Sequence, residues 1–182
     1  VASLRENGAV VAGDLDNDGD EDLIVNVPCS ATTLSDEGEY LWDGDKIIYH
    51  NNGDGTFSDV SDNVGLHGDS WTTCGLLADI NGDGLTDLYE VTYCGGNKPY
   101  EQACRNSRGL ATCPPLDFEA EADHFWRGSD QGKFGNITTQ WAGQTSNGRG
   151  LGIVAGMFDE RPGLDLYVAN DMTANQFWSG EH

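Results

Sequence analysis

Asp14, Asp16, Asp18 and Asp22 stand at positions 1, 3, 5 and 9 of a short stretch that also holds Asp20 and Glu21. Carboxylates this crowded repel one another unless they share a cation. Gly19, at position 6, permits the sharp bend that would turn them inward. Asp20, at position 7, can add its backbone carbonyl. An all-oxygen set on a flexible turn suits a hard divalent ion, and calcium ahead of magnesium. The spacing returns 65 residues later as Asp79, Asn81, Asp83, Gly84 and Asp87, with the Leu85 carbonyl at position 7. Two Ca2+ sites are therefore expected. The alternative is a pair of solvated acidic turns.

A third copy, another 78 residues on, is degenerate. Met157 replaces the first Asp, Arg161 the third and Pro162 the Gly, which leaves Asp159 and Asp165. This loop is expected to hold no metal: either the Arg161 guanidinium takes the cation's place and pairs with Asp159 and Asp165, or Arg161 is an exposed side chain on an ordinary turn. Asp79 to Glu90 also satisfies the EF-hand pattern, with Glu90 at position 12. That reading is rejected, because "VTYCGGNKPY" after the loop is not helical and the first copy has Val25 at position 12. Glu90 is assigned to a strand instead.

No other constellation offers chemistry as clear. His50, His67, His124 and His182 are scattered and form no metalloprotease array. Ser70 and Ser107 lack a nucleophile-elbow context. No catalytic residue is expected, although a glycosidase-like carboxylate pair could hide among the unpatterned acids. Trp42, Trp71, Trp126, Trp141 and Trp178 could stack on sugars. Trp126 and Trp178 share a repeated position, however, and are assigned to the core.

The elements that must carry these turns read as short strands. "EDLIVNV" and "TDLYEVTY" are rich in β-branched and aromatic residues, and "KIIYHNNGDGTFSDV" reads as a hairpin about a Gly-rich turn. That second signature, residues 48–61, returns at 125–138 and begins again at 176–180. Alternating motifs of this kind predict an all-β chain of β-propeller blades, each about four strands. The metal-loop repeats start near residues 9, 74 and 152, giving one segment of two to three blades over 1–182. Two to three blades do not close a ring, so a longer chain or further subunits are expected to complete it. Residues 92–124 interrupt the repeat with a Cys-bearing insertion, and "PPLDFEAEADHFW" within it could hold one helical turn.

Nine basic residues against 31 acidic ones give a net charge of −22, which opposes binding to nucleic acid or an anionic membrane. No run of about 18 apolar residues suggests a membrane-spanning helix. Residues 1–11 carry neither the basic start nor the apolar core of a secretory leader. Cys29, Cys74, Cys94, Cys104 and Cys113 form no C-x-x-C pair, so disulfides and an oxidising, exported location are expected. Cys74 and Cys94 flank the second acidic hairpin and could pair across it. Asn136-Ile137-Thr138 is a glycosylation sequon.

The strings "NNGDGTFSDVS" (51–61), "GRGLGIVAGMFD" (148–159) and "DLYVANDMTANQF" (165–177) resemble the FG-GAP/VCBS repeat family. They are most similar to its cartilage-acidic-protein group, whose bacterial members carry ASPIC/UnbV domains. "CRNSRGLATCPP" (104–115) resembles that group's cysteine-bearing insertion. The resemblance implies a propeller of about seven blades, like the heads of integrin α subunits, with calcium in its turns. It also implies a Cys104–Cys113 disulfide and an extracellular, cell-surface or periplasmic protein acting in adhesion or assembly through protein or glycan partners. The other reading carried forward is a carbohydrate-active propeller, either a lectin or a polysaccharide lyase. A subunit of a larger extracellular complex is a further one.

Overall fold

The computed structural model describes residues 9–26, 30–34, 40–43, 46–68, 70–95, 104–111, 113–141 and 147–180. Cys29 and His182, and the side chains of Trp42 and Trp141, lie outside the described residues. The fold is almost entirely antiparallel β. β1 (Val10–Gly13), β2 (Asp22–Asn26), β5 (Lys46–Asn51) and β6 (Phe57–Asp59) form a first four-stranded sheet in the order β1-β2-β5-β6. Between β2 and β5 the chain makes a separate hairpin of β3 (Ser30–Leu34) and β4 (Tyr40–Asp43), which the sequence did not announce.

The second sheet has the same path: β7 (Thr72–Ala78), β8 (Asp87–Thr92), β13 (His124–Arg127) and β14 (Gly135–Asn136), each paired with the next. Its insertion contributes β9 (Cys94–Gly95) and β12 (Glu119–Ala120), which pair with each other, and the hairpin β10 (Cys104–Asn106) to β11 (Gly109–Ala111). One helical turn was expected across 114–126. Only Pro115–Asp117 forms one, a 3-10 turn, and the rest is extended. Among the described residues the α-helix is α1 (Thr138–Trp141), which begins at the last residue of the sequon. β15 (Gly150–Gly156), β16 (Asp165–Asn170) and β17 (Gln176–Trp178) make the third, three-stranded sheet.

Strand alternation gives each sheet two faces, and the faces stack in chain order. Ile24 and Ile48 of the first sheet meet Leu88 and Trp126 of the second, with Leu15, Val64, Leu66 and Phe134 closing the cluster. Tyr89, Val91 and Phe125, on the second sheet's other face, meet Leu166 and Val168 of the third. The first strands of the sheets run side by side and are made of small residues. A methyl at Gly75 would lie 3.1 Å from Val11 Cγ2, tight enough to push the strands apart. Three sheets stacked in this way do not close a ring among the described residues.

A polar knot ties the first two sheets. Glu90 on β8 is fully buried and accepts Nζ of Lys46 at 3.0 Å and Trp126 Nε1–H at 3.0 Å. The Thr72 hydroxyl donates to it, and His124 Nδ1 lies at 3.5 Å. Burial opposes its ionisation, but His124, Lys46 and Thr72 outweigh this and hold the carboxyl down at about 2. Glu90 is thus a strand residue serving the core, and the EF-hand reading fails on the fold.

Cys104 and Cys113 are joined by a disulfide, as the family resemblance implied. The Cys74–Cys94 pairing is not formed, and both thiols are free. The register explains why. Cys74 lies opposite Val91, three residues short of Cys94, and packs toward the third sheet. Cys94 lies beyond β8 on β9, with its Sγ 4.0 Å from the Pro115 carbonyl.

Candidate metal centre

Each acidic turn joins the first strand of its sheet to the second, and backbone N–H groups shape it. Asp14 accepts the N–H groups of Asp18 (3.1 Å) and Gly19 (3.0 Å). Asp79 accepts those of Gly82 (2.8 Å), Asp83 (3.0 Å) and Gly84 (2.9 Å). Asp20 and Leu85 each donate an N–H to the carboxylate two residues earlier, at 2.9 and 3.0 Å. Gly19 (φ 95°) and Gly84 (φ 86°) take the left-handed conformation that the bend needs and that glycine tolerates without strain.

The last Asp of each loop has a role that spacing alone did not reveal. Asp22, Asp87 and Asp165 are all buried at the start of the second strand. One oxygen binds back to the loop's opening: Asp22 Oδ2 accepts from Leu15 N–H (3.0 Å), Asp87 Oδ2 from Ile80 N–H (3.2 Å) and Asp165 Oδ2 from Phe158 N–H (2.7 Å). The other oxygen binds across to the neighbouring chain segment: Asp22 Oδ1 accepts from Asn51 N–H (2.8 Å), Asp87 Oδ1 from Gly128 N–H (2.9 Å) and Asp165 Oδ1 from Gly180 N–H (2.9 Å). The third loop keeps this residue although only Asp159 remains of its other patterned carboxylates. The last Asp is therefore a pin that fastens the turn to the sheet. Burial pushes Asp87 up, whereas the Gly180 N–H holds Asp165 down.

The loops differ in what the remaining carboxylates face. In the first, oxygens of Asp14, Asp16 and Asp22 converge within 4.8 Å of one another. Asp16, Asp18 and His50 form a second such group. His50 Nδ1 lies 3.5 Å from Asp16 Oδ2 and 3.2 Å from Asp22 Oδ1. Asp16 Oδ1 is buried with no hydrogen-bond partner. Burial pushes the Asp16 carboxyl up, and the neighbouring Asp18 and Asp22 charges push it the same way. A cavity of about 210 Å³ opens beside it, lined in part by Asp16, Asp22, His50 and Lys133. An orphaned oxygen among converging carboxylates fits a divalent cation.

In the second loop a protein cation is already in place. Arg127 on β13 reaches Asp83 Oδ2 through Nη2 (2.8 Å) and Nε (3.3 Å). Burial pushes the Asp83 carboxyl up, but Arg127 and the Leu85 N–H outweigh it and hold it down. Asn81 is spent on the Asp83 N–H at 2.8 Å. In the third loop Arg161 grips Asp159 through Nη2 (2.6 Å) and Nε (2.8 Å). Asp165, the other expected partner, is taken up by backbone N–H groups. His50 and Arg127 were missed in the sequence because they reach the loops from other strands, and nothing local marks them.

The remaining candidates fall apart in space. Asn136 is exposed on β14, and its side chain accepts the Thr138 N–H at 3.0 Å. Trp126 is buried between the first two sheets, and Trp178 packs with the second core. Trp71 packs edge-on against Tyr93 at 5.4 Å between ring centroids. Among the described residues, no helix is long and apolar enough to cross a membrane.

Residues 40–90 match a family model described as an FG-GAP-like repeat. The match runs from β4 to within β8. It therefore covers the hairpin of the first sheet and the second acidic turn. No curated protein sequence matches the chain. An FG-GAP repeat in an antiparallel β fold is consistent with a β-propeller-like module for binding or adhesion.

Proposed function

We propose that this chain is a calcium-stabilised segment of an exported β-propeller, related to the cartilage-acidic-protein group, which binds protein or glycan partners at a surface or in a matrix. The observation that carries the metal is the first acidic turn, with its buried, unpartnered Asp16 oxygen between Asp14 and Asp22. Asp14, Asp16, Asp18 and the Asp20 carbonyl hold the ion, Asp22 pins the turn around it, and His50 faces it from β5. The second turn binds more weakly, because Arg127 must leave Asp83 first. The third turn binds no ion and is closed by Arg161. The disulfide and the acidic surface support export.

A thermal melt tests the metal. Calcium at a hundredfold excess over Kd should stabilise the fold by about 2.7 kcal/mol, or roughly 5–10 °C for a chain this size. The shift should shrink in Asp16→Ala to what the weaker second turn supplies and survive intact in Asp159→Ala. If chelator leaves the melting temperature of the wild-type chain unchanged, the first turn is a solvated acidic loop and the proposal fails.

A further inference from the structure

Two of the three acidic turns seat a guanidinium from the chain itself. Arg127 holds Asp83 in the second turn, and Arg161 holds Asp159 in the third. Asp16 has the loop position of Asp159, the third of the pattern. His50 has the strand position of Arg127: Tyr49 lies opposite Leu23 and Trp126 opposite Leu88, each the residue after a pinning Asp. The first turn thus keeps the carboxylate and sets an imidazole where the second sheet has a guanidinium. Asp16 Oδ2 lies 3.5 Å from His50 Nδ1, and Asp16 Oδ1 is buried with no hydrogen-bond partner.

The cavity of about 210 Å³ beside this turn has room for a side chain from outside. Leu15, Ile48, Val60 and Val64 line its apolar part, and Asp16, Asp22 and His50 line its polar end. The loop between β13 and β14 closes another side, where a methyl at Gly132 would lie 2.9 Å from Asp16 Cβ. Lys133 also borders the cavity, but it is exposed. An apolar wall leading to a carboxylate matches an arginine, whose methylene stem covers apolar surface while its planar fork binds the acid. Lysine offers only a point charge there. A net charge of −22 steers basic partners toward the surface.

We infer that the first turn seats an arginine side chain of a protein partner, its stem on Leu15, Ile48, Val60 and Val64 and its guanidinium on Asp16. This seat rests on the reading of the chain as a binding module, but not on calcium. The ion and the guanidinium claim the same Asp16 oxygen, so each excludes the other, and the arginine enters when the ion leaves.

The test is an NMR titration of the purified chain with acetyl-Gly-Arg-Gly-amide, at graded free calcium from chelator upward. The same peptide with citrulline keeps the shape and loses the charge. The arginine peptide should shift the amides of Leu15, Asp16 and Gly132, the citrulline peptide should not, and affinity should fall as calcium rises. Asp16→Asn should weaken binding about tenfold. Lys133→Glu, outside the turn, should tighten it several-fold, whereas Arg108→Glu, an equal change of charge at an exposed position on the insertion, should not. No arginine binding in chelator by the folded wild type overturns the inference. So does unchanged affinity in Asp16→Asn, or a lysine peptide that binds as tightly as arginine, since either reports general acidity. If Asp16→Asn unfolds, Lys133→Glu decides, and an affinity no higher than that of Arg108→Glu overturns the seat. Binding that needs Asp16 but ignores calcium keeps the seat and removes the ion from this turn instead.

Discussion

Glu90→Gln is the most informative single change to the core. It keeps the shape of the side chain and removes the charge that Lys46 and His124 face. A folded value of about 2 against an ordinary 4.5 favours the ionised, folded form by about 3 kcal/mol at neutral pH. The sign follows from the depressed value. This stability is fully present above pH 4.5 and is lost as pH falls toward 2. By pH 3 only about 1 kcal/mol of it should remain. The Gln variant also leaves Lys46 without its buried partner, so a loss of ~3–5 kcal/mol at pH 7 is expected. Urea unfolding of both chains at pH 7 and pH 3 reads the difference directly. The gap between them should narrow by about 2 kcal/mol on acidification. If Glu90→Gln costs under about 1 kcal/mol at pH 7, or if the gap does not change with pH, then the Lys46–Glu90 knot does not hold the first two sheets together.

Other residues give independent checks. Asp123 is buried and raised to about 6, with the Thr92 N–H (2.8 Å) and Tyr89 hydroxyl (3.1 Å) donating to it. A raised carboxyl destabilises at neutral pH, and this is relieved as pH falls from 6 toward 3.8. Asp123→Asn should therefore flatten the rise in stability across that window, as measured by melts at successive pH values. Asp165→Ala should cost about 2–4 kcal/mol in urea unfolding, because it strands buried N–H groups, and the loss should be the same with calcium or chelator. Arg127→Ala should free Asp83 and raise calcium affinity at the second turn, seen as a stronger second binding event by titration calorimetry.

Much of this fold was legible because the repeat is local. The glycine at the bend and the hairpin "KIIYHNNGDGTFSDV" lie within a dozen or so residues of their partners, so spacing alone places them, whereas the pinning Asp takes its second partner from 15 to 41 residues away. The EF-hand was also rejected on local grounds, and Glu90 lies on β8. The rest depended on contacts between distant segments. Arg127 reaches Asp83 from 44 residues away, and Lys46 reaches Glu90 from the other sheet. The Cys74–Cys94 pairing failed because the β7–β8 register sets Cys74 opposite Val91, and the sequence does not state that register. Asp22 and Asp87 also hold backbone N–H groups, a task that acidic spacing does not distinguish from metal ligation. The degenerate third loop, which keeps only the pin and the residue facing Arg161, makes that distinction.

Calcium titration by calorimetry, on the wild type and on Asp16→Ala, tests the central claim most directly. One dominant binding event is expected in the wild type, with its loss in Asp16→Ala and a weaker second event that persists in both. No calcium heat in the wild type, or an unchanged dominant event in Asp16→Ala, would contradict it.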